Sequence, residues 1–242
     1  MDGFIAFPHT GGGVYAENSD ATFIRCMFIG NKSATMGGAV ANWGGSPSYI
    51  NCEFFGNTAE YTAGAVWNRM GTTPSFVNCL FYDNHAMEAG AVSVLDGAPT
   101  FTNCTFTDNH ASKGKAGAIF DARGEVVLRN CIVWNNKAVR SGTDELYNLP
   151  AGGGKTTATH CNIGGGWPGA GNKNTDPLFV NAATRDYRLR LNSPCRDTGD
   201  LAPLPNDLAD LDLDGQTSQR LTRDLAMNPR VTGSAVNMGA YE

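Results

Sequence analysis

At 242 residues the chain is long enough for one large domain or two small ones. Its formal net charge of -5 supplies no basic field for nucleic acid or an anionic membrane surface, and no run approaches the roughly 18 continuous apolar residues of a membrane span. Thirty glycines beside only 17% charged residues disfavour a helical protein and suit many short strands joined by tight turns.

Met1 runs directly into Asp2-Gly3-Phe4 with neither a basic nor a long apolar region, so no signal peptide is read there. Asp2-Gly3-Phe4-Ile5 reads as the middle of a repeat unit, which predicts further units upstream.

From there the chain repeats itself. Cys26, Cys52, Cys79, Cys104 and Cys131 are separated by 26, 27, 25 and 27 residues. Three residues before each stand Phe23, Tyr49, Phe76, Phe101 and Leu128, and two after stand Phe28, Phe54, Phe81, Phe106 and Val133. Arg25, Asn51, Asn78, Asn103 and Asn130 precede the cysteines directly; Asn31, Asn57, Asn84, Asn109 and Asn136 follow five later. A small-residue motif recurs as Gly38-Ala39-Val40, Gly64-Ala65-Val66, Gly90-Ala91-Val92 and Gly117-Ala118-Ile119, with Gly12-Gly13-Val14 starting the series. A helical solenoid would need apolar residues at i, i+3, i+4 and i+7, and these are missing; leucine is too scarce for a leucine-rich repeat. About three short strands per repeat, punctuated by Gly and Asn, describe one coil of a β-helix. The fold expected is all-β: a right-handed parallel β-helix, a single-stranded solenoid with coils of about 26 residues and a C-terminal cap.

Equivalent residues of successive coils then stack about 4.8 Å apart. The aromatic columns become interior stacks, and the Asn columns fall at bends, where Asn tolerates left-handed backbone and can hydrogen-bond along the axis. The cysteine column reads as buried thiols. Seven cysteines cannot all pair, parallel Cβ vectors hold stacked sulfurs badly for bonding, and one column cannot surround a metal tetrahedrally.

Three groups could carry chemistry. Asp83, His85, Asp108 and His110 should point outward from consecutive coils, with Lys32 and Lys137 in the same column. Two carboxylates so close suit the acid and nucleophile of a retaining glycosidase, two His with two Asp suit a transition metal, and a duplicated solvated turn accounts for them equally. Tyr15, Trp67 and Phe120 directly follow the small-residue motif in alternate coils. They would form an aromatic stripe for stacking on sugar rings, or else lateral packing; Trp43 and Trp134 lie elsewhere on the coils. Asp210, Asp212 and Asp214 ahead of Gly215 have the alternate spacing of a calcium loop, although Leu221 stands where the twelfth-position Glu belongs; a structural turn is the alternative.

After Asn136 the register loosens. Residues 141–155 read as an insertion, and one further coil forms around Cys161 with His160 at the Asn position. Residues 1–165 are therefore coils and 166–242 a capping segment packed on the last coil, with Trp167, Leu178, Phe179, Tyr187 and Leu189 available to cover it.

The Gly-Gly-Ala-Val and Phe-x-x-Asn alternation (37–40; 28–31, 54–57, 81–84, 106–109) is similar to the repeats of polymorphic outer-membrane adhesins. Asp176-Pro177-Leu178-Phe179-Val180, Asp186-Tyr187-Arg188-Leu189, Ser193-Pro194, Asp197-x-Gly199 and the ending Asn237-Met238-Gly239-Ala240-Tyr241-Glu242 resemble the choice-of-anchor Q family of exported bacterial β-helix proteins. The resemblance implies a secreted or cell-surface protein and no defined reaction. Cys195 departs from the small apolar residue usual there, and no anchor is read in the chain. The function expected is an extracellular module for adhesion or polysaccharide binding, its partner an extracellular polysaccharide or a host or cell-surface glycan, acting as a monomer with no cofactor beyond the calcium candidate. A polysaccharide lyase or glycoside hydrolase is the alternative. Short loops before residue 140 predict no deep cleft, and Arg69, Arg123 and Arg129 do not converge.

Overall fold

The computed structural model describes residues 10–140, 142, 144–207 and 209–242. The mid-coil segment expected at residues 2–5 lies outside them. The first five described coils carry four strands each, one more than the repeat suggests, because a two-residue strand follows each interior Asn; the sixth carries three. Strands of successive coils pair in parallel and in register, forming three six-stranded sheets and one of five. The first sheet holds the small-residue motif (Val14–Glu17 to Leu146–Asn148) and the second the strand before each cysteine (Thr22–Ile24 to Lys155–Thr159). The third holds the strand after it (Met27–Ile29 to Asn162–Ile163), and the fourth runs from Lys32–Ser33 to Lys137–Ala138. This is a parallel β-helix of six turns.

Register turns each repeated residue into a column. Tyr49, Phe76 and Phe101 stack face to face at 4.7 Å; Phe54, Phe81 and Phe106 do so at 4.5 Å. The two stacks meet edge to face, as between Phe76 and Phe81 at 5.7 Å, a geometry the ring quadrupole favours. All seven cysteines are free, and the column from Cys52 to Cys161 is buried beside the rings. Each thiol of that column donates to one or two carbonyls, as Cys79 does to Tyr49 and Val77, both at 3.4 Å. Burial pushes the Cys104 and Cys161 thiols well up, so they stay protonated and unreactive.

The two Asn columns do different work. Arg25, the four Asn residues before the cysteines and His160 occupy the left-handed bend themselves, with φ between 50° and 53°. At the second bend the left-handed residue is the one before the Asn: Gly30, Gly56, Asp83, Asp108 and Asn135. The Asn side chains themselves turn inward. Asn31, Asn57, Asn84 and Asn109 each pass an Nδ2–H to the Oδ1 of the next Asn, ending at Asn136, at 2.8–3.0 Å. They also bond local carbonyls, which satisfies amides that would otherwise be costly inside an apolar core.

Two expectations are corrected here. Within residues 141–155, read as an insertion, Leu146–Asn148 pairs with Ile119–Asp121 and Lys155–Thr159 with Glu125–Arg129. The stretch belongs to the sixth coil, disguised because Asp144-Glu145-Leu146 replaces the small-residue motif. Nor does the tail sit chiefly on the last coil. Its first residues do so, with Trp167 packed against the main core and its indole donating to Thr156 O at 3.3 Å, and Cys195 Sγ accepts from Asn162 there at 3.2 Å. The remainder runs back along the flank. Phe179, Tyr187, Leu189 and Met238 pack on Leu80, Tyr82 and Ile132 of the third sheet, and Leu211 and Leu221 on Val77 of the second. The outer Asn column fastens it: Asn51, Asn78 and Asn130 donate to Asp224, Arg223 and Asp200 carbonyls at 2.7–2.8 Å.

Candidate functional site

The flanking tail changes what the outward residues face. Asp83 and Asp108 sit at successive left-handed bends, half-buried, one coil apart. Asp83 Oδ1 lies 3.0 Å from His85 Nε2 and its Oδ2 lies 3.7 Å from the Arg185 guanidinium, which rests on the Phe55 ring at 4.0 Å. Asp108 accepts from the Tyr187 hydroxyl at 3.0 Å and from Asn135 Nδ2. Burial, then the Asp108 charge, pushes the Tyr187 phenol up, so it stays a donor. His85 and His110 meet edge to face at 5.8 Å in the column that runs from Lys32 to Lys137. Asp83 and Asp108 share a cavity of about 360 Å³ closed by Ala182, Arg185 and Tyr187 of the tail. The histidines are not among its lining. Among the described residues these four do not gather three ligand atoms within metal-binding reach; only Asp210, Asp212 and Asp214 do.

That cavity does not stand alone. A second, of about 330 Å³, lies between Trp134 and the tail strand Phe179–Asn181 and shares Asn135 and Ala182 with the first. A third, the largest at about 460 Å³, shares Trp134 and Asn135 with the second and continues to Glu145 and Trp167. The three hollows therefore adjoin one another, from Asp83 at one end to Trp167 at the other. All three hollows are open and shallow; two take one wall from residues 176–190, far along the chain, and the third is walled by residues 142, 144–146 and 163–167.

Glu145 is the residue that the sequence reading missed. Leu146 pairs with Ile119, which places Glu145 on the Ala39, Ala65, Ala91, Ala118 column that faces the Asn ladder. Five residues after Cys161 the ladder position is Gly166, so the sixth coil has no Asn. Glu145 fills that gap from across the coil: its Oε2 accepts from Asn136 Nδ2 at 2.6 Å. Burial pushes the carboxyl up to about 7, partly offset by these hydrogen bonds. Two departures in one coil, Ala to Glu and Asn to Gly, are the signal that could have found it. Its other oxygen lies beside Gly164, where a Cβ would come within 2.6 Å.

The aromatic stripe does not form. Tyr15, Ala41, Trp67, Ser93 and Phe120 are successive partners in the first sheet, so small residues separate the rings. Trp67 is only 1% exposed, covered by Trp43 at 5.8 Å and by Met36. Phe120 is half-buried against Tyr147 at 5.7 Å, and Tyr15 alone is open. The residue after the small-residue motif lies where neighbouring loops fold over the sheet, which sequence spacing does not reveal.

Asp210, Asp212 and Asp214 do come together, with carboxylate oxygens within 4.8 Å of one another. A calcium loop needs more ligands than these three. Leu221 at the twelfth position is core, packed on Val77, while Asp224 is buried and binds the Asn228 and Glu242 backbone N–H groups. Asp210 accepts from Gly215 N, and Asp212 and Asp214 from Gln219, so the loop is also held by its own bonds. The donor set fits calcium only in part, and no chemistry is routed through it.

No helix among the described residues is long and apolar enough to cross a membrane. Comparison with curated proteins and with solved structures returns no match. A family model described as a right-handed β-helix region matches residues 6–165, the whole of the coiled part and well over half the chain, and this protein belongs to that family.

Proposed function

We propose that this chain is an extracellular or cell-surface β-helix module that holds an extended polysaccharide in the groove between coils and tail. The observation that carries the reading is that the three cavities adjoin through the shared lining residues Trp134, Asn135 and Ala182. A string of connected hollows suits a chain of similar rings better than one compact ligand, and a half-buried indole at the junction offers a face for a pyranose ring. The export location rests on the resemblance to choice-of-anchor Q proteins. Its motifs make structural sense as the wall: Phe179, Tyr187 and Leu189 pack on the third sheet, and Ala240 N donates to Thr105 Oγ1 at 3.0 Å. Titration against soluble glycans, read by tryptophan fluorescence, tests it. Trp134→Ala should weaken the best ligand at least ten-fold with the thermal midpoint held within a few degrees. Undiminished binding in that variant would sink the groove as the site.

One observation favours a second reading, a polysaccharide-cleaving enzyme. A carboxyl held near 7 inside a cavity has the protonation a general acid needs, and Asp108 and Asp83 supply further carboxylates along the same groove. Release of reducing ends, abolished in Glu145→Gln, would move the protein into that class.

A further inference from the structure

We infer that the groove accepts uncharged glycans and rejects polyuronates, with the hollow above Glu145 as its terminal subsite. The inference rests on the proposed groove and adds the class of polymer that it admits. Along its length the groove is lined by Asp83, Asp108, Asp144, Glu145 and Asp176, against two cations, Arg185 and Arg190. Both cations are already engaged. Arg185 lies flat on Phe55 beside Asp83, and Arg190 donates to Val180 O at 3.0 Å. A polymer with a carboxylate on every ring would set its charges among fixed carboxylates in a concave, partly desolvated site, where like charges repel more strongly than in open water.

The acceptors suit hydroxyl groups. Asp108 takes three protein donors, from Tyr187, Asn135 and Thr107, and a carboxylate has about four lone-pair sites, which leaves one open. Glu145 spends Oε2 on Asn136 and turns Oε1 toward Gly164, in the largest hollow, between Trp134 and Trp167. A neutral sugar can donate hydroxyls to such oxygens while its C–H face lies on an indole; a uronate carboxylate has no hydrogen to donate there.

The test measures affinity of the full chain by isothermal titration at pH 7.5 and 50 mM salt, with xylan and glucomannan as neutral polymers and polygalacturonate and alginate as polyuronates. A neutral polymer should bind at least ten-fold more tightly than either polyuronate. Raising salt to 0.5 M should narrow that ratio, because the Debye length falls from about 10 Å at 0.1 M toward a few ångströms. The double variant Asp108→Asn/Glu145→Gln, which preserves shape, should narrow it three-fold or more; a circular dichroism spectrum matching the parent checks its fold. Polygalacturonate binding as tightly as xylan, and lost in Trp134→Ala, would overturn the charge selection while leaving the groove in place. A ratio indifferent to both salt and the double variant would also overturn it. Failure of all four polymers to bind would overturn the glycan reading and this inference with it.

Discussion

Glu145 shows how one residue converts a structural column into a chemical site. Its position is Ala in the four preceding coils because the interior there is narrow; a carboxylate is tolerated only since Asn136 lacks its next partner. The same placement makes stability depend on pH. A carboxyl raised from 4.5 to about 7 binds its proton more tightly folded than unfolded, so its cost is absent below about pH 4.5. The cost grows as pH rises toward 7 and is complete above it. At about 1.4 kcal/mol per pH unit this reaches roughly 3 kcal/mol, less whatever residual solvent access screens. Urea midpoints should therefore fall between pH 5 and pH 8 in the parent and stay nearly level across that window in Glu145→Gln. A parent midpoint that rose with pH would contradict the assignment.

At the scale of elements, the ladder and the stacks place the cost of a substitution by position along the axis. Asn84 lies mid-ladder: Asn57 N and Nδ2 donate to it, and it donates to Phe54 O and Asn109. Asn84→Leu strands several buried groups at once and should cost about 4 kcal/mol in urea denaturation. Asn31→Ala should cost only about 1 kcal/mol, since Asn57 Oδ1 keeps the Asn31 backbone N–H. Phe81→Ala removes a ring stacked at 4.5 Å on both sides and should cost about 3–5 kcal/mol. If the two Asn variants cost the same, the ladder is not a connected chain. These columns were legible in the sequence because a coil repeat reports every interior residue several times over. Asn84 and Phe81 are placed by the repeat alone. The direction of the bend was less legible: side by side, Asn78 and Asn84 look alike, yet only Asn78 has left-handed backbone.

The whole molecule holds together by a principle the repeat does not contain. Tail residues meet coil residues far along the chain, as Asp200 meets Asn130 at 70 positions and Asp224 meets Asn51 at 173, and contacts of that kind leave no period to read. For that reason the motif residues Phe179, Tyr187 and Leu189 could be seen as apolar cover without revealing which surface they covered. The candidate groove inherits this illegibility, since one wall is repeat and the other is not. It follows that the wall can be loosened without unravelling the solenoid, whose strands pair only with neighbouring coils. Tyr187→Ala/Leu189→Ala removes the phenol that holds Asp108 and the side chain packed beside Ile132. The double variant should keep its far-UV strand signal and expose the third-sheet patch of Leu80, Tyr82 and Ile132, seen as increased binding of a hydrophobic dye. It should also lose glycan affinity at least ten-fold, although both Trp134 and Glu145 are retained. Collapse of the strand signal together with binding would mean that coils and tail form one cooperative unit. The flank would then be part of what folds the helix, and not only what furnishes its groove.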